Sequence, residues 1–271
     1  MQDVRDILFK DLEGRQYSVV ITAEHAGVLS GVEDAYACAE QLGIDLELCK
    51  GEGAHLSRGE RFGHFRGTAK QIAQAEEQLM GTLAKSSGIA TAAETANLLA
   101  QKRVRIVSGS WKKMPPVLKQ SIRRAIASGG AAFRICEPPM VYIDKNYIRM
   151  LGSIPAALAA AKPLENATKI IQIKGQNNTI EEETRQALKG GADVLMVDTG
   201  NREDLKACRV EVERQGRRGQ VKLAFAGNVK LTDIPVLADA GVDILCIGKQ
   251  IVDAQLLDMR LDVVEEVQSW V

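Results

Sequence analysis

At 271 residues with 45% hydrophobic content, the chain has apolar material for one α/β barrel or two smaller domains. Its 35 basic and 35 acidic residues cancel to a formal net charge of zero, which argues against a nucleic-acid or anionic-membrane partner. The cysteines Cys38, Cys49, Cys136, Cys208 and Cys246 form no CxxC pair, which argues for reduced thiols rather than disulfides or zinc; with no secretory signal or membrane-length apolar run, a cytoplasmic location is expected.

In chain order, residues 3–13 are expected to form a short helix, and the string Tyr17-Ser-Val-Val-Ile-Thr22 has the β-branched content of a strand. Ala26-Gly-Val-Leu-Ser-Gly31 turns into an amphipathic helix over Val32–Leu42, after which residues 44–49 alternate as a strand. Gly51, Gly53, Gly59, Gly63 and Gly67 then punctuate short segments, as tight turns in a small β layer would require. Residues 73–99 are helix-rich, and Ser86-Ser-Gly88 either joins two helices or admits a close neighbour. Together these elements make an expected α+β layer, the first domain, over residues 1–103.

From Val104 the rhythm becomes strand, loop, helix, repeated, giving a second domain over residues 104–271 whose last helix is free to pack back on the first. Short β-branched runs at 104–107, 140–143, 169–173, 194–197, 221–225 and 243–247 read as parallel strands covered on both faces. Helices fit between them, at 179–189 with Thr179 as N-cap and Gly190-Gly191 as stop, and at 203–215. Six strands are fewer than eight, so the expectation is an atypical, incomplete parallel β/α barrel.

Active sites in such folds lie at the C-terminal strand ends, which selects residues 108–113, 144–147, Lys174, Asp198, Gly227-Asn228 and Gly248-Lys249. After the last two strands, Gly227, Asn228, Gly248 and Lys249 either hold a phosphate through backbone N–H groups or are ordinary βα turns. Asp198 is a ligand to a metal or to ribose hydroxyls, or else the first residue of an Asp-Thr-Gly turn. Lys174 and Lys145 are anion donors, Schiff-base lysines, or solvent-facing loop residues. Glu181-Glu-Glu183 complements a helix dipole.

The strings Ala26–Gly31, 52–67, Ala75-Glu76 and Ser87-Gly-Ile-Ala-Thr91, with Lys112 before Pro115, Ser128-Gly-Gly130, Arg134, Ile143 to Asn146, Asp198, Gly227 and Gly248, resemble the quinolinate phosphoribosyltransferases, also called carboxylating nicotinate-nucleotide pyrophosphorylases. The resemblance covers nearly the whole chain. It implies an α/β sandwich followed by an α/β barrel, a homodimer or dimer-built hexamer, and transfer of ribose 5-phosphate from phosphoribosyl pyrophosphate to quinolinate with Mg²⁺ and loss of CO₂. Asp198 would serve the metal, and Lys112 and Arg134 the anions.

Several positions depart from the pattern that the resemblance implies. Glu77 and Trp111 stand where arginines are expected, and Phe133-Arg134 replaces a His-Arg pair. Asp144-Lys145-Asn146-Tyr147 exchanges the first two charges of a Lys-Asp-Asn-His run and ends on a phenol. Gln172, Lys174 and Ala224 stand at acidic positions, and Asn228 at a glycine. The expectation is a protein that holds a phosphorylated ribosyl ligand and transfers it to an acceptor other than quinolinate, with Trp111 and Phe133 either favouring an apolar or aromatic one or serving as packing that fills a disused pocket. The alternatives are a non-catalytic dimeric relative on the same scaffold and a lysine-assisted lyase.

Overall fold

The computed structural model describes residues 3–267. Its strands are β1 (Gln16–Ala23), β2 (Gly27–Val28), β3 (Glu47–Leu48), β4 (His55–Leu56), β5 (Arg61–Gly67), β6 (Arg105–Val107), β7 (Met140–Ile143), β8 (Thr168–Ile173), β9 (Val194–Asp198), β10 (Lys222–Ala226), β11 (Ile244–Cys246) and β12 (Met259–Val267). Its helices are α1 (Val4–Leu8), α2 (Val32–Leu42), α3 (Ala69–Ala100), α4 (Lys119–Ser128), α5 (Lys145–Leu151), α6 (Ile154–Ala160), α7 (Ile180–Lys189), α8 (Arg202–Arg214), α9 (Ile234–Asp239) and α10 (Lys249–Val252). The chain divides into two compact units, Met1–Glu94 with Lys113–Gly130 and Ile251–Val271, and Thr95–Lys112 with Ala131–Gln250. Among the described residues no helix is long and apolar enough to cross a membrane.

The first unit is built on an antiparallel sheet in the order β12-β1-β5-β3. Val19, Ile21, Phe62 and Phe65 of β1 and β5 are buried against Leu79 and Leu83 of α3, so the apolar residues of the strands meet one stripe of the helix. The strand expected over residues 44–49 shrinks to two residues. Gly43 ends α2 in the left-handed region and the Ile44 N–H returns to the Ala39 carbonyl, so Ile44 and Leu46 are buried without entering a ladder.

Helix α3 runs 32 residues without the break that Ser86-Ser-Gly88 could have marked. Here the small residues serve close approach. A Cβ on Gly88 would lie 2.0 Å from the Gln255 carbonyl oxygen, and the buried Ser87 hydroxyl accepts the Ser30 N–H at 2.9 Å. The C-terminal stretch expected as a helix is a strand, with Met259 to Val267 pairing along β1. Its alternation of Met259, Leu261 and Val263 with Arg260 and Asp262 fits an edge strand better than a helical stripe.

The second unit is a six-stranded, all-parallel sheet in the order β6-β11-β10-β9-β8-β7, the incomplete barrel that the βα rhythm predicts. Val107, Ile170, Val194, Met196, Ala224 and Ile244 form its interior cluster. Thr179 caps α7 by accepting the Glu182 N–H, as its position before the helix predicts.

Candidate functional site

Side chains alternate across a strand, so the residue two places beyond each interior residue returns to the same face nearer the C-terminal rim. On β9 the sequence Val194, Met196, Asp198 places Asp198 above the apolar interior. The same count puts Gln172 above Ile170 on β8, Tyr142 above Met140 on β7, Ala226 above Ala224 on β10 and Cys246 above Ile244 on β11. The rim layer is therefore Gln172, Asp198, Ala226, Cys246 and Tyr142, with Lys174 following β8.

Three of the expected residues form one bonded group there. The Gln172 amide nitrogen donates to Asp198 Oδ2 at 2.6 Å, and Lys174 Nζ lies 3.6 Å from the same oxygen. The Gln172 amide oxygen accepts the Lys145 backbone N–H at 2.7 Å, so both ends of a buried amide are satisfied and its orientation is fixed. Lys174 is itself held from behind. The Glu183 carboxylate, 4% exposed, accepts the backbone N–H groups of Lys174, Gly175, Gln176 and Asn177 at 2.8, 2.9, 3.1 and 3.3 Å. Glu183 thus does more than complement the α7 dipole: it clamps the loop that presents Lys174.

Tyr142 and Cys246, which were not among the expected residues, complete the layer. Lys112 Nζ sits 5.6 Å from the centroid of the Tyr142 ring, a cation over an aromatic face. Burial pushes the Tyr142 phenol well above its ordinary range, and Asp198, Cys246 and Asp144 add to that shift. Burial likewise pushes the Cys246 thiol up to about 12, with Asp198 acting the same way and Lys112 opposing it, so Cys246 stays a neutral thiol. The available signal was strand parity with Asp198.

The remaining expected residues have separate surroundings. Asp144 caps α5, its Oδ1 accepting the Asn146 and Tyr147 N–H groups at 2.8 and 3.0 Å, while Lys145 and Tyr147 are exposed on the first turn. The Trp111 indole donates to the Phe133 carbonyl at 2.8 Å, and the two rings meet edge to face with centroids 6.4 Å apart. Arg134 lies over the Phe133 ring, 5.3 Å from guanidinium carbon to centroid. Glu77, in the first unit, is ion-paired with Arg5.

The glycine ends follow adjacent strands. Gly227 has φ +111°, and a Cβ there would lie 2.3 Å from the Gly200 nitrogen, so the β9 and β10 loops can touch only through glycine. Asn228 holds φ 54°, a conformation that asparagine tolerates better than most residues, which accounts for asparagine at a glycine position. A Cβ on Gly248 would lie 2.3 Å from Ser110 Oγ, and Lys249 opens α10 on the exposed side.

The Mg²⁺ implied by the resemblance finds a poor donor set here. Asp198 Oδ2 accepts from an amide donor and lies beside an ammonium, and the Gln172 oxygen accepts a backbone N–H. Among the described residues no three His, Cys, Asp or Glu side chains gather as a metal site. The residues present do not fit a carboxylate-held divalent cation.

Comparison with known proteins agrees over both units. Residues 6–87 match the model of the quinolinate phosphoribosyl transferase N-terminal domain, and residues 89–262 that of the C-terminal domain. The "Probable nicotinate-nucleotide pyrophosphorylase" (carboxylating) of Methanothermobacter thermautotrophicus is 27% identical over 273 residues, covering 95% of each chain. The carboxylating nicotinate-nucleotide pyrophosphorylase of Homo sapiens is 24% identical, covering 94% of this chain and 88% of its own. The fold matches the solved structure of the nicotinate-nucleotide pyrophosphorylase from Francisella tularensis with a TM-score of 0.80 at 22% identity, over 96% of this chain and 90% of that one. The chain belongs to the quinolinate phosphoribosyl transferase family.

Proposed function

We propose that this protein transfers the 5-phosphoribosyl group of phosphoribosyl pyrophosphate to an aromatic acceptor that carries less negative charge than quinolinate. The observation that carries this reading is the pair Trp111 and Phe133, packed ring edge to ring face where the family resemblance implies cationic side chains. Each hydrogen bond to a charged group is worth roughly 1.5–3 kcal/mol, so two lost cationic contacts weaken a dicarboxylate by roughly two to four orders of magnitude. Lys112 and Arg134 remain to receive the pyrophosphate. Gly227, Asn228, Gly248 and Lys249, after neighbouring β10 and β11, are assigned the 5-phosphate. Asp198 faces the positive charge that develops on the ribose as its bond to pyrophosphate breaks and the acceptor bond forms.

Calorimetric titration tests this. Phosphoribosyl pyrophosphate should bind, and a pyridine monocarboxylate should then bind at least about a hundredfold more tightly than quinolinate. Quinolinate-dependent release of pyrophosphate and CO₂ at an ordinary enzymatic rate would overturn the assignment of the acceptor.

A further inference from the structure

The charge on Asp198 is already answered within the protein. Lys174 Nζ stands 3.6 Å from Asp198 Oδ2, the Gln172 amide donates to that same oxygen at 2.6 Å, and among the described residues the carboxylate belongs to no group of three or more His, Cys, Asp or Glu side chains that could hold a metal ion. The ammonium is also placed with little freedom at its root. Four backbone N–H groups from Lys174 to Asn177 converge on the buried Glu183 carboxylate, and the Lys145 N–H locks Gln172 from the other side. A divalent cation at Asp198 Oδ2 would compete with the Gln172 donor and be repelled by the Lys174 ammonium 3.6 Å away, both unfavourable for an ion that gives up its water reluctantly.

We propose that the Lys174 ammonium takes the place of a divalent cation at this site, so that the protein binds its phosphorylated pentose donor without metal. The inference rests on the phosphoribosyl pyrophosphate reading given above. Lysine is suited to the role because its ammonium is a compact point charge with three donors; one side faces Asp198 and the others are left for anionic or hydroxyl oxygens of the ligand. Gln172 acts as a positioning residue, since a neutral amide can hold Asp198 without competing for the cation.

The experiment is calorimetric titration of the whole protein with phosphoribosyl pyrophosphate, once in excess EDTA and once in excess Mg²⁺, together with electron paramagnetic resonance of Mn²⁺ added to the protein alone. The proposal expects dissociation constants within about threefold of each other in the two buffers. It also expects a Mn²⁺ signal that remains that of the free aqueous ion. Lys174→Ala should weaken binding in EDTA by at least about thirtyfold while its thermal melt stays close to that of the parent, and Lys174→Arg should recover most of the loss. Binding that needs Mg²⁺ by more than about tenfold overturns the proposal and leaves the donor reading intact. Unchanged binding by Lys174→Ala in EDTA overturns it as well. Absence of binding in both buffers overturns the donor reading and this inference with it.

Discussion

Gln172 shows how one neutral atom decides the electrostatics of the site. Its amide faces Asp198 with a donor and Lys145 with an acceptor, an assignment that no carboxylate could fill. Gln172→Glu keeps the shape and places a second carboxylate oxygen against Asp198 Oδ2 in a buried position. Two carboxylates that share a site cannot both ionise cheaply, so the pair's folded-state pKa rises above the unfolded value. Stability that depends on that shared proton is fully present below the unfolded carboxylate range and is lost as pH rises through the raised value. The variant should therefore melt near the parent at about pH 4 and fall behind by roughly 3 kcal/mol at pH 7, read from thermal melts across that interval. A variant that matches the parent at pH 7 would mean that Asp198 is free to turn away, and the bonded group at the rim would lose its meaning.

At the scale of elements, α3 carries two glycines with opposite consequences. Around Gly81 an added Cβ would meet nothing within 4 Å, whereas at Gly88 it would lie 2.0 Å from the backbone oxygen of Gln255. Glycine in a helix interior costs roughly 0.5–1 kcal/mol relative to alanine, so Gly81→Ala should raise stability by about that amount. Gly88→Ala must push two backbones apart and should cost more than about 3 kcal/mol, because no flexible side chain can yield. Chemical denaturation of the two variants separates the cases. Equal effects would show that the helix tolerates displacement and that Ser-Gly at this point is a sequence accident. The glycine was legible as an interruption, and sequence alone left open whether it broke the helix or let another segment in. What decides the matter is a carbonyl from residue 255, far along the chain, that no local pattern announces.

The same division between local and distant causes runs through the whole molecule. The most recognisable strings, Ala26–Gly31, Glu52 and its glycines, Ser87–Thr91 and Ser128–Gly130, bind one another within the first unit. Ser30 N–H meets Ser87 Oγ at 2.9 Å, Val28 N–H meets Thr91 Oγ1 at 2.9 Å, Glu52 accepts from Ser128 at 2.6 Å, and a Cβ on Gly129 would lie 2.1 Å from the Ala90 oxygen. They announce the family because they hold the scaffold together, which is why kinship was easier to read than chemistry. The barrel strands were legible from β-branched runs, and Asp198 and Lys174 from their positions at strand ends. Tyr142 and Cys246 required parity counted across neighbouring strands, and the fourfold clamp of Glu183 required the loop geometry itself.

The C-terminal strand is the clearest case of structure imposed by a partner element. Met259, Leu261 and Val263 alternate with Arg260 and Asp262, but Val263 and Val264 are each 53% exposed and Glu265 and Glu266 follow, so the alternation stops short of the strand's end. What makes Met259–Val267 a strand is the open edge of β1, whose backbone groups it pairs from Gln16↔Val267 to Ala23↔Met259. Its charges in turn blunt the new edge, since a charged edge strand resists pairing with another chain. A chain ended after Asp258 should therefore expose β1 as an edge. In an antiparallel sheet alternate residues direct their N–H to opposite neighbours, so hydrogen exchange in β1 should quicken at every second residue, by about a hundredfold or more, while the amides bonded to β5 stay protected. Amides of β8, β9 and β10 should keep their rates. Quickened exchange throughout those barrel strands would show that the C-terminal strand supports far more than the sheet it completes, and a β1 that exchanges as before would show that it supports nothing.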